Sequence, residues 1–176
     1  MTAPVTPDPS APPAAGPWVS KAPARPPTKA LLASTATAVV ALCTLVAIGT
    51  VLQRPVLIPP LAASMALIAA GTGLPLAQPR NVIGGQLASA LTGYTILAIL
   101  GQGLWPAAVA GGLALGVMLL LRVSHSPAAA TAVIVTLTAP PAATFLPLLA
   151  LATIVLVLLG IAGARLEGKP YPVYWR

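Results

Sequence analysis

Acidic residues are nearly absent from this sequence. Asp8 and Glu167 are the only two in 176 residues, and neither lies between residues 30 and 164, where three arginines and one histidine occur. Cation carriers and proton pumps usually hold their ions with carboxylates inside the membrane, and intramembrane hydrolases need catalytic or metal-binding sets that one histidine cannot supply. We therefore predict a protein that is not an enzyme and that binds no metal and no cofactor.

Charged residues, cysteine and aromatics are also scarce. Only 6% of residues are charged and 57% are hydrophobic, whereas a soluble domain carries about 25% charged residues. Cys43 is the single cysteine, so no internal disulfide can form. The length allows one domain of roughly four to six membrane segments of ~20 residues each. Several of the few aromatics fall at segment ends, as interfacial anchors do: Trp105, Tyr171, Tyr174 and Trp175.

The formal net charge of +7 does not indicate nucleic-acid binding. No basic face with interleaved aromatics is visible, and most cations lie near the two ends of the chain. Such clustering is typical of the positive-inside signal of membrane proteins. We expect a multi-pass protein of the bacterial plasma (inner) membrane, with the lipid bilayer as its solvent and both termini in the cytoplasm.

Proline and glycine punctuate the apolar sequence into three regions. Residues 1–28 carry nine prolines and predict a disordered cytoplasmic leader, 29–166 a transmembrane domain, and 167–176 an interfacial tail. The fold class expected for the domain is all-α, with four long transmembrane helices and two short proline-started helices. The predicted segments are about 30–52, 60–71, 81–100, 104–122, 127–139 and 144–164.

An internal repeat is visible at an offset of 67 residues. The segment 60–68 matches 127–135, and each half predicts a long helix, a short helix started by Pro60 or Pro127, and another long helix. The similarity of Ala-rich segments by chance is the alternative. If the short helices cross the membrane there are six spans and inverted halves. If the short helices instead enter and leave the membrane on the same side, there are four spans. The positive-inside rule favours six spans.

Two polar islands interrupt the apolar sequence. The first runs from Pro75 to Gly85 and holds Gln78, Pro79, Arg80, Asn81 and the pair Gly84-Gly85; the second runs from Arg122 to Pro127. We expect the islands to face each other and small anions to pass between them, because no carboxylate in the segment can pair with the arginines. Arginines at helix ends can also serve orientation alone, which we prefer for Arg54, and the glycine pairs can serve helix packing alone.

Short-helix starts offer unpaired N–H groups and partial positive charge, so they form anion sites without ionised side chains. We predict that Asn81 caps the third helix, that Ser126 caps the fifth and that Pro127 is its first residue. The hydroxyls of Ser64, Ser126 and Thr131 could donate to an oxyanion, or bond their own helix backbone. His125 could bind the anion or pass a proton; a neutral ring bonded to a loop carbonyl is the alternative.

The run from Pro75 to Gly85, the segment from His125 to Ala132 and the ending Tyr171-Pro-Val-Tyr-Trp175 resemble the HPP family of integral membrane proteins. The resemblance covers about 30–176 and implies a helical membrane domain; some members are associated with nitrite transport. The positions that match its motifs are Gln78, Pro79, Arg80, Asn81, Gly84, Gly85, His125, Pro127 and Thr131.

Four departures from the family's pattern stand out. His125-Ser126-Pro127 replaces His-Pro-Pro, Ala62 and Ala129 replace glycines, and Gln86 replaces a histidine. We therefore expect transport of a small inorganic anion, and the resemblance implies nitrite. We also expect a homo-oligomer, because four to six membrane segments form only a thin wall around a transport pathway. The alternative is a membrane assembly or sensor protein that transports nothing.

Overall fold

A computed structural model describes residues 24–175, so the predicted leader lies mainly outside the described residues. Between 24 and 175 the chain is all-α, and it contains no strand. The six α-helices are α1 (Thr28–Leu52), α2 (Pro59–Ala70), α3 (Pro79–Leu100), α4 (Leu104–Leu120), α5 (Ala129–Thr138) and α6 (Ala142–Leu166). Two 3-10 turns, Pro75–Ala77 and Ser126–Ala128, precede α3 and α5. The predicted helical membrane fold is confirmed.

Helix length separates the elements into two groups. The helices α1, α3 and α6 have 25, 22 and 25 residues and are long and apolar enough to cross a membrane. The helix α4 has 17 residues, about 26 Å at the usual rise, so three long helices replace the predicted four. The short helices α2 and α5 have 12 and 10 residues.

Two predicted helix starts are wrong in detail. Asn81 does not cap α3: the helix begins at Pro79 after an extended Gln78. Proline suits this first position because its fixed φ is already helical and its missing N–H would be unpaired there anyway. Ser126 makes no side-chain capping bond, and Pro127 lies in a 3-10 turn before α5 begins at Ala129.

The third helix of each half packs with the opposite half. The helix α3 packs mainly against α4 and α5, whereas α6 packs against α1 and α2 and, to a similar extent, against α3. Contacts between α3 and α6 join these two groups along a seam. The two halves are therefore interlocked, and no half forms its own bundle.

Equivalent contacts in the two groups follow the 67-residue offset. A Cβ on Gly93 of α3 would lie 3.0 Å from Val135 Cβ of α5, and a Cβ on Gly160 of α6 would overlap Ile68 of α2. Gly93 is equivalent to Gly160, and Ile68 is equivalent to Val135. The predicted repeat is therefore visible in equivalent helix contacts as well as in sequence similarity.

Replacing Gly160 with alanine is expected to destabilise the fold by about 1–3 kcal/mol, because the added methyl group overlaps the Ile68 side chain. Gly112→Ala is the matched control, since a Cβ there meets nothing within 4 Å. Thermal unfolding in detergent is the measurement. Equal melting temperatures for the two variants would contradict the close packing of α2 on α6.

The start of α1 and the end of α6 lie at the same end of the bundle. Ser34 Oγ on α1 donates a hydrogen bond to Glu167 Oε1, just after α6, at 3.3 Å. The tail that follows reaches the start of α3, where Val173 N donates to Gln78 Oε1 at 2.8 Å. We call this the terminal end of the bundle.

The short helix α2 runs toward the terminal end, in the same direction as α6. Leu61 in its first turn shares a small cavity with Phe145 at the start of α6. Ile68, further along α2, lies against Gly160 near the end of α6. Pro60 and Leu61 in its first turn are buried, so α2 begins inside the bundle, about 18 Å from the end of its 12 residues.

The short helix α5 runs the opposite way, along α3 and away from the terminal end. Thr131 in its first turn donates to Gln86 Oε1 on α3. Leu137 near its end accepts a hydrogen bond from Gln102 Nε2, just after α3. The two short helices thus begin near each other inside the bundle and end at opposite ends of it.

Candidate functional site

A cluster of four fully buried polar side chains lies where the two short helices begin. Its members, which we call the polar cluster, are Ser64, Gln86, His125 and Thr131. His125 lies in the extended segment before the second 3-10 turn, and Nε2 of its ring is 2.7 Å from Ser64 Oγ on α2. Through this bond the second polar island meets α2; it meets the first island through the other ring nitrogen and through Gly84 and Gly85.

Gln86 joins the two halves of the repeat. Its Nε2 donates to Ser64 Oγ at 3.0 Å, and its Oε1 accepts from Thr131 Oγ1. Ser64 and Thr131 are equivalent residues at the 67-residue offset, so one amide bonds the same position of both repeats. The residue equivalent to Gln86 is Thr153, whose hydroxyl donates to Ala150 of its own helix, so the bridge exists on α3 but not on α6.

The other ring nitrogen of His125 is held by the first polar island. Nδ1 lies 2.7 Å from the Leu76 carbonyl oxygen in the first 3-10 turn. Gly85 makes room for the ring, since a Cβ there would lie 2.7 Å from His125 Cβ and 2.8 Å from the Val123 carbonyl oxygen. A Cβ on Gly84 would likewise lie 3.0 Å from Val123 Cγ1. Both glycines therefore allow the α4–α5 connection to approach α3.

Gln78 and the tail hold the first 3-10 turn in place. Gln78 Nε2 donates to the carbonyl oxygens of Thr72 and Leu74, both at 2.9 Å, while its Oε1 accepts from Val173 N. The Tyr171 hydroxyl donates to the Ala77 carbonyl oxygen at 2.8 Å. Burial raises the pKa of the Tyr171 phenol, so the hydroxyl keeps its proton and remains a donor. Gln78 thus has its amide fully engaged.

The remaining residues of the first island lie at the terminal end. Arg80, partly exposed in the first turn of α3, donates from Nη2 to the Leu121 carbonyl oxygen at a long 3.5 Å. Asn81 Nδ2 donates to the Pro75 carbonyl oxygen at 2.8 Å. Its Oδ1 is buried without a hydrogen-bond partner among residues 24–175. Asn81 therefore retains a free, buried acceptor at the terminal end.

The second island is split between surface and interior. Arg122 is exposed in a left-handed conformation with φ of 57°, and Ser126 is exposed. His125, between them, is fully buried. The alanines at the two family glycine positions, Ala62 and Ala129, lie half-buried in the first turns of α2 and α5. The structure thus brings His125, but neither Arg122 nor Ser126, to the polar cluster.

The starts of the short helices offer few free donors. Pro59 and Pro60 have no N–H, and Leu61 N already donates to Ile58 O at 2.9 Å. At the other start, Ala128 N donates to His125 O at 2.9 Å. The polar groups at this point come mainly from the cluster's side chains, so Pro60, Pro79 and Pro127 serve to place helix starts.

Sequence reasoning missed three members of the site. Gln86 entered only as a departure from a family pattern, and neither the Leu76 carbonyl nor Tyr171 was assigned a contact. The repeat carried a usable signal for Gln86, because it lies on the long helix between equivalent hydroxyl residues at 64 and 131. The contacts of Leu76 and Tyr171 join residues 49 and 94 positions apart and leave no local pattern.

Comparison with known proteins places this arrangement in a family. The family model described as "HPP, transmembrane region" matches residues 23–172, a segment that holds the whole polar cluster. No curated protein and no solved structure matches the chain. With helices long enough to cross a membrane and a match over most of its length, this chain belongs to the HPP family of multi-pass membrane proteins.

Proposed function

We propose that this protein transports small monovalent inorganic anions, nitrite first among them, across the bacterial plasma membrane. The observation that carries the proposal is the polar cluster itself. It lies inside an apolar bundle, at the starts of two oppositely directed short helices, and it contains no acidic group. Broken or short helices that meet inside a repeated fold are a common way to build a transport site.

The charge around the cluster favours an anion. Arg80 and Arg122 lie at the terminal end, next to the two islands, and neither forms a salt bridge within residues 24–175. The carboxylate of Glu167 is 2.6 Å from Lys169 Nζ, so it does not neutralise the arginines. Unpaired cations at the mouth of a low-dielectric region attract small anions.

The same charges orient the protein. Lys29, Arg80, Arg122, Arg165 and Lys169 lie at the terminal end. Arg54, after the far end of α1, is the cation of the opposite end within the described residues. By the positive-inside rule the terminal end, and with it both termini, faces the cytoplasm.

The described arrangement is closed. All four side chains of the cluster have no exposed surface, so transport requires the seam between the two groups of helices to open. Gln86 is well placed to hold it shut, since its amide on α3 bonds Ser64 on α2, across the seam. An entering anion would then accept hydrogen bonds from hydroxyl, amide and imidazole donors, and much less from the helix starts.

Uptake of nitrite, nitrate, formate and chloride into proteoliposomes tests the function. We expect nitrite uptake well above that of protein-free vesicles, with saturation and with competition from the other anions. Correctly folded protein that gives no more flux than empty vesicles would overturn the proposal. That result would favour the membrane assembly or sensor role instead. Cross-linking in membranes at the same time tests the expected homo-oligomer.

Replacing Arg80 with alanine is expected to lower nitrite uptake several-fold at low ionic strength and less at high salt, because screening weakens the attraction of exposed charges. Folding yield should change little, since the guanidinium makes a single long hydrogen bond. Arg54→Ala, at the opposite end of the bundle, is the matched control when uptake is measured from the terminal side. Parallel loss of yield and uptake would make Arg80 a structural residue.

A further inference from the structure

We propose that the polar cluster binds one proton together with each anion, so that the pair crosses the membrane as a neutral unit. The inference rests on the proposed anion transport and specifies what is coupled to it. It comes from counting the hydrogens that the cluster's bonds require. The relevant atoms are the two ring nitrogens of His125, the hydroxyl of Ser64 and the carbonyl oxygens of Leu76 and Pro60.

The hydrogen on Nδ1 of His125 is fixed. A carbonyl oxygen only accepts hydrogen bonds, so the 2.7 Å contact with the Leu76 oxygen requires Nδ1 to carry a hydrogen. The neutral ring then has a bare Nε2, which accepts, and the charged ring has a hydrogen on Nε2, which donates. The protonation state is therefore decided at the contact between Nε2 and Ser64.

The Ser64 hydroxyl has one hydrogen and two acceptors within reach. Its Oγ is 2.7 Å from His125 Nε2 and 2.8 Å from the Pro60 carbonyl oxygen, one turn earlier on α2. It also accepts from Gln86 Nε2 at 3.0 Å. With a neutral ring the hydroxyl donates to Nε2. With a charged ring Nε2 donates to Oγ, and the hydroxyl turns to Pro60.

Both arrangements keep every ring nitrogen and the hydroxyl bonded. Proton binding to His125 therefore breaks no hydrogen bond of the ring; it requires one O–H rotation. What it does create is a buried positive charge, which is costly unless a negative charge accompanies it. The cost of protonation is thus set by the charges around the ring.

The elements around the His125 ring carry no acidic residue. The helices α2 and α5 have no titratable group, and the titratable groups of α3 are Arg80 and Tyr94. Arg122 precedes His125 in its own connection, and the Tyr171 hydroxyl contacts the turn that holds the ring. An imidazolium here finds arginines and neutral groups on these elements but no acid, so the missing negative charge is a transported anion.

The coupling follows from these two facts. A proton from the aqueous phase bonds to Nε2, the Ser64 O–H turns to Pro60, and the anion's negative charge balances the imidazolium. On the other side the anion leaves, the proton leaves Nε2 to water, and the O–H turns back. Because binding linkage is reciprocal, each ligand raises the affinity for the other.

Proton and anion uptake measured together in proteoliposomes test the inference. We expect one proton per anion, and an accumulation that does not change when the membrane potential is clamped. A potential of about 100 mV would change the accumulation of an uncompensated anion about fiftyfold. Nitrate is tested as a second anion beside nitrite. The flux into protein-free vesicles is subtracted, because the undissociated acid crosses lipid without a protein. Saturable anion flux without protons would overturn the coupling and leave anion transport standing.

Two variants locate the proton. His125→Gln keeps an amide that can donate and accept but cannot hold an extra proton near neutral pH, so the proton-to-anion ratio should fall to zero. Ser64→Ala removes the acceptor of the charged ring, so anion binding should reach half its maximum at lower pH. Calorimetry in two buffers of different ionisation enthalpy measures the proton uptake of each detergent-solubilised protein. An unchanged proton-to-anion ratio in folded His125→Gln protein would overturn the assignment of the proton to His125. If that variant does not fold, the proton-to-anion ratio of the wild-type protein decides whether transport is coupled.

Discussion

Replacing Gln86 with methionine is expected to reduce anion uptake at least about tenfold, a loss that corresponds to ~1.4 kcal/mol. Methionine matches the length of glutamine but offers no amide. Thr131 would lose the acceptor of its hydroxyl and Ser64 a donor, at about 1–3 kcal/mol for a buried group left unpaired. The opened cluster would also lack the amide donor that an entering anion needs, so uptake falls even though the bridge across the seam is gone. Uptake of nitrite into proteoliposomes, with thermal unfolding, measures both effects.

Two controls sharpen this experiment. Gln53→Met changes an exposed glutamine at the end of α1 that bonds only its own helix end, and it should leave uptake unchanged. Gln86→His restores a donor and an acceptor and introduces the residue that the family resemblance implies at this position. It should recover much of the lost uptake. Full activity in Gln86→Met would show that the bridge has no part in transport.

Local signals in the sequence were enough to predict the helices. Proline and glycine fix where a helix can begin or end, so the breaks before Pro59 and after Leu100 were readable in a chain with few other features. The start of α3 was misplaced by two residues because Asn81 is a good capping residue, whereas Pro79 fits the first helical position even better. Such competition between neighbouring signals is settled by backbone geometry.

Packing was much harder to predict. The helices are apolar on nearly all faces, since lipid and neighbouring helices are equally hydrophobic, so periodicity does not tell which face meets which partner. The packing of α3 and α6 against helices of the opposite half therefore left no amphipathic pattern in the sequence. What did mark the contacts were single small residues, Gly93 and Gly160, at equivalent places in the repeat.

In the candidate site, too, the residues could be predicted from the sequence but their contacts could not. His125, Ser64 and Thr131 could be selected because a polar side chain in an apolar helix is rare and needs a partner. Their partners could not be assigned, because hydroxyls bond their own backbone as readily as a distant side chain. Arg80, the residue with the clearest chemistry, lies at the terminal end and bonds Leu121, outside the polar cluster.

Deleting residues 170–176 is expected to abolish most anion uptake without preventing membrane insertion. The tail supplies three hydrogen bonds to the first 3-10 turn and its neighbour: from the Tyr171 hydroxyl to Ala77, from Val173 N to Gln78 and, at a longer 3.4 Å, from the Tyr174 hydroxyl to Pro75. The turn in turn supplies the Leu76 carbonyl oxygen that holds His125 Nδ1. Without the tail, the turn keeps only the side-chain hydrogen bonds from Gln78 and Asn81, so the imidazole is held less firmly. Uptake and thermal unfolding of the shortened protein measure the loss.

A pair of matched tyrosine variants separates this positioning role from a general loss of stability. Tyr171→Phe removes a buried hydroxyl that donates at 2.8 Å, so unfolding should become easier by about 1–2 kcal/mol. Tyr174→Phe removes a more exposed hydroxyl at 3.4 Å from the Pro75 oxygen and should have little effect. If the tail positions His125, Tyr171→Phe also shifts the pH dependence of uptake, because a less firmly held Nδ1–H changes how readily the ring takes a second proton. A destabilised Tyr171→Phe protein with an unchanged pH profile would limit the tail to a structural role, since stability alone does not move the midpoint of a titrating group.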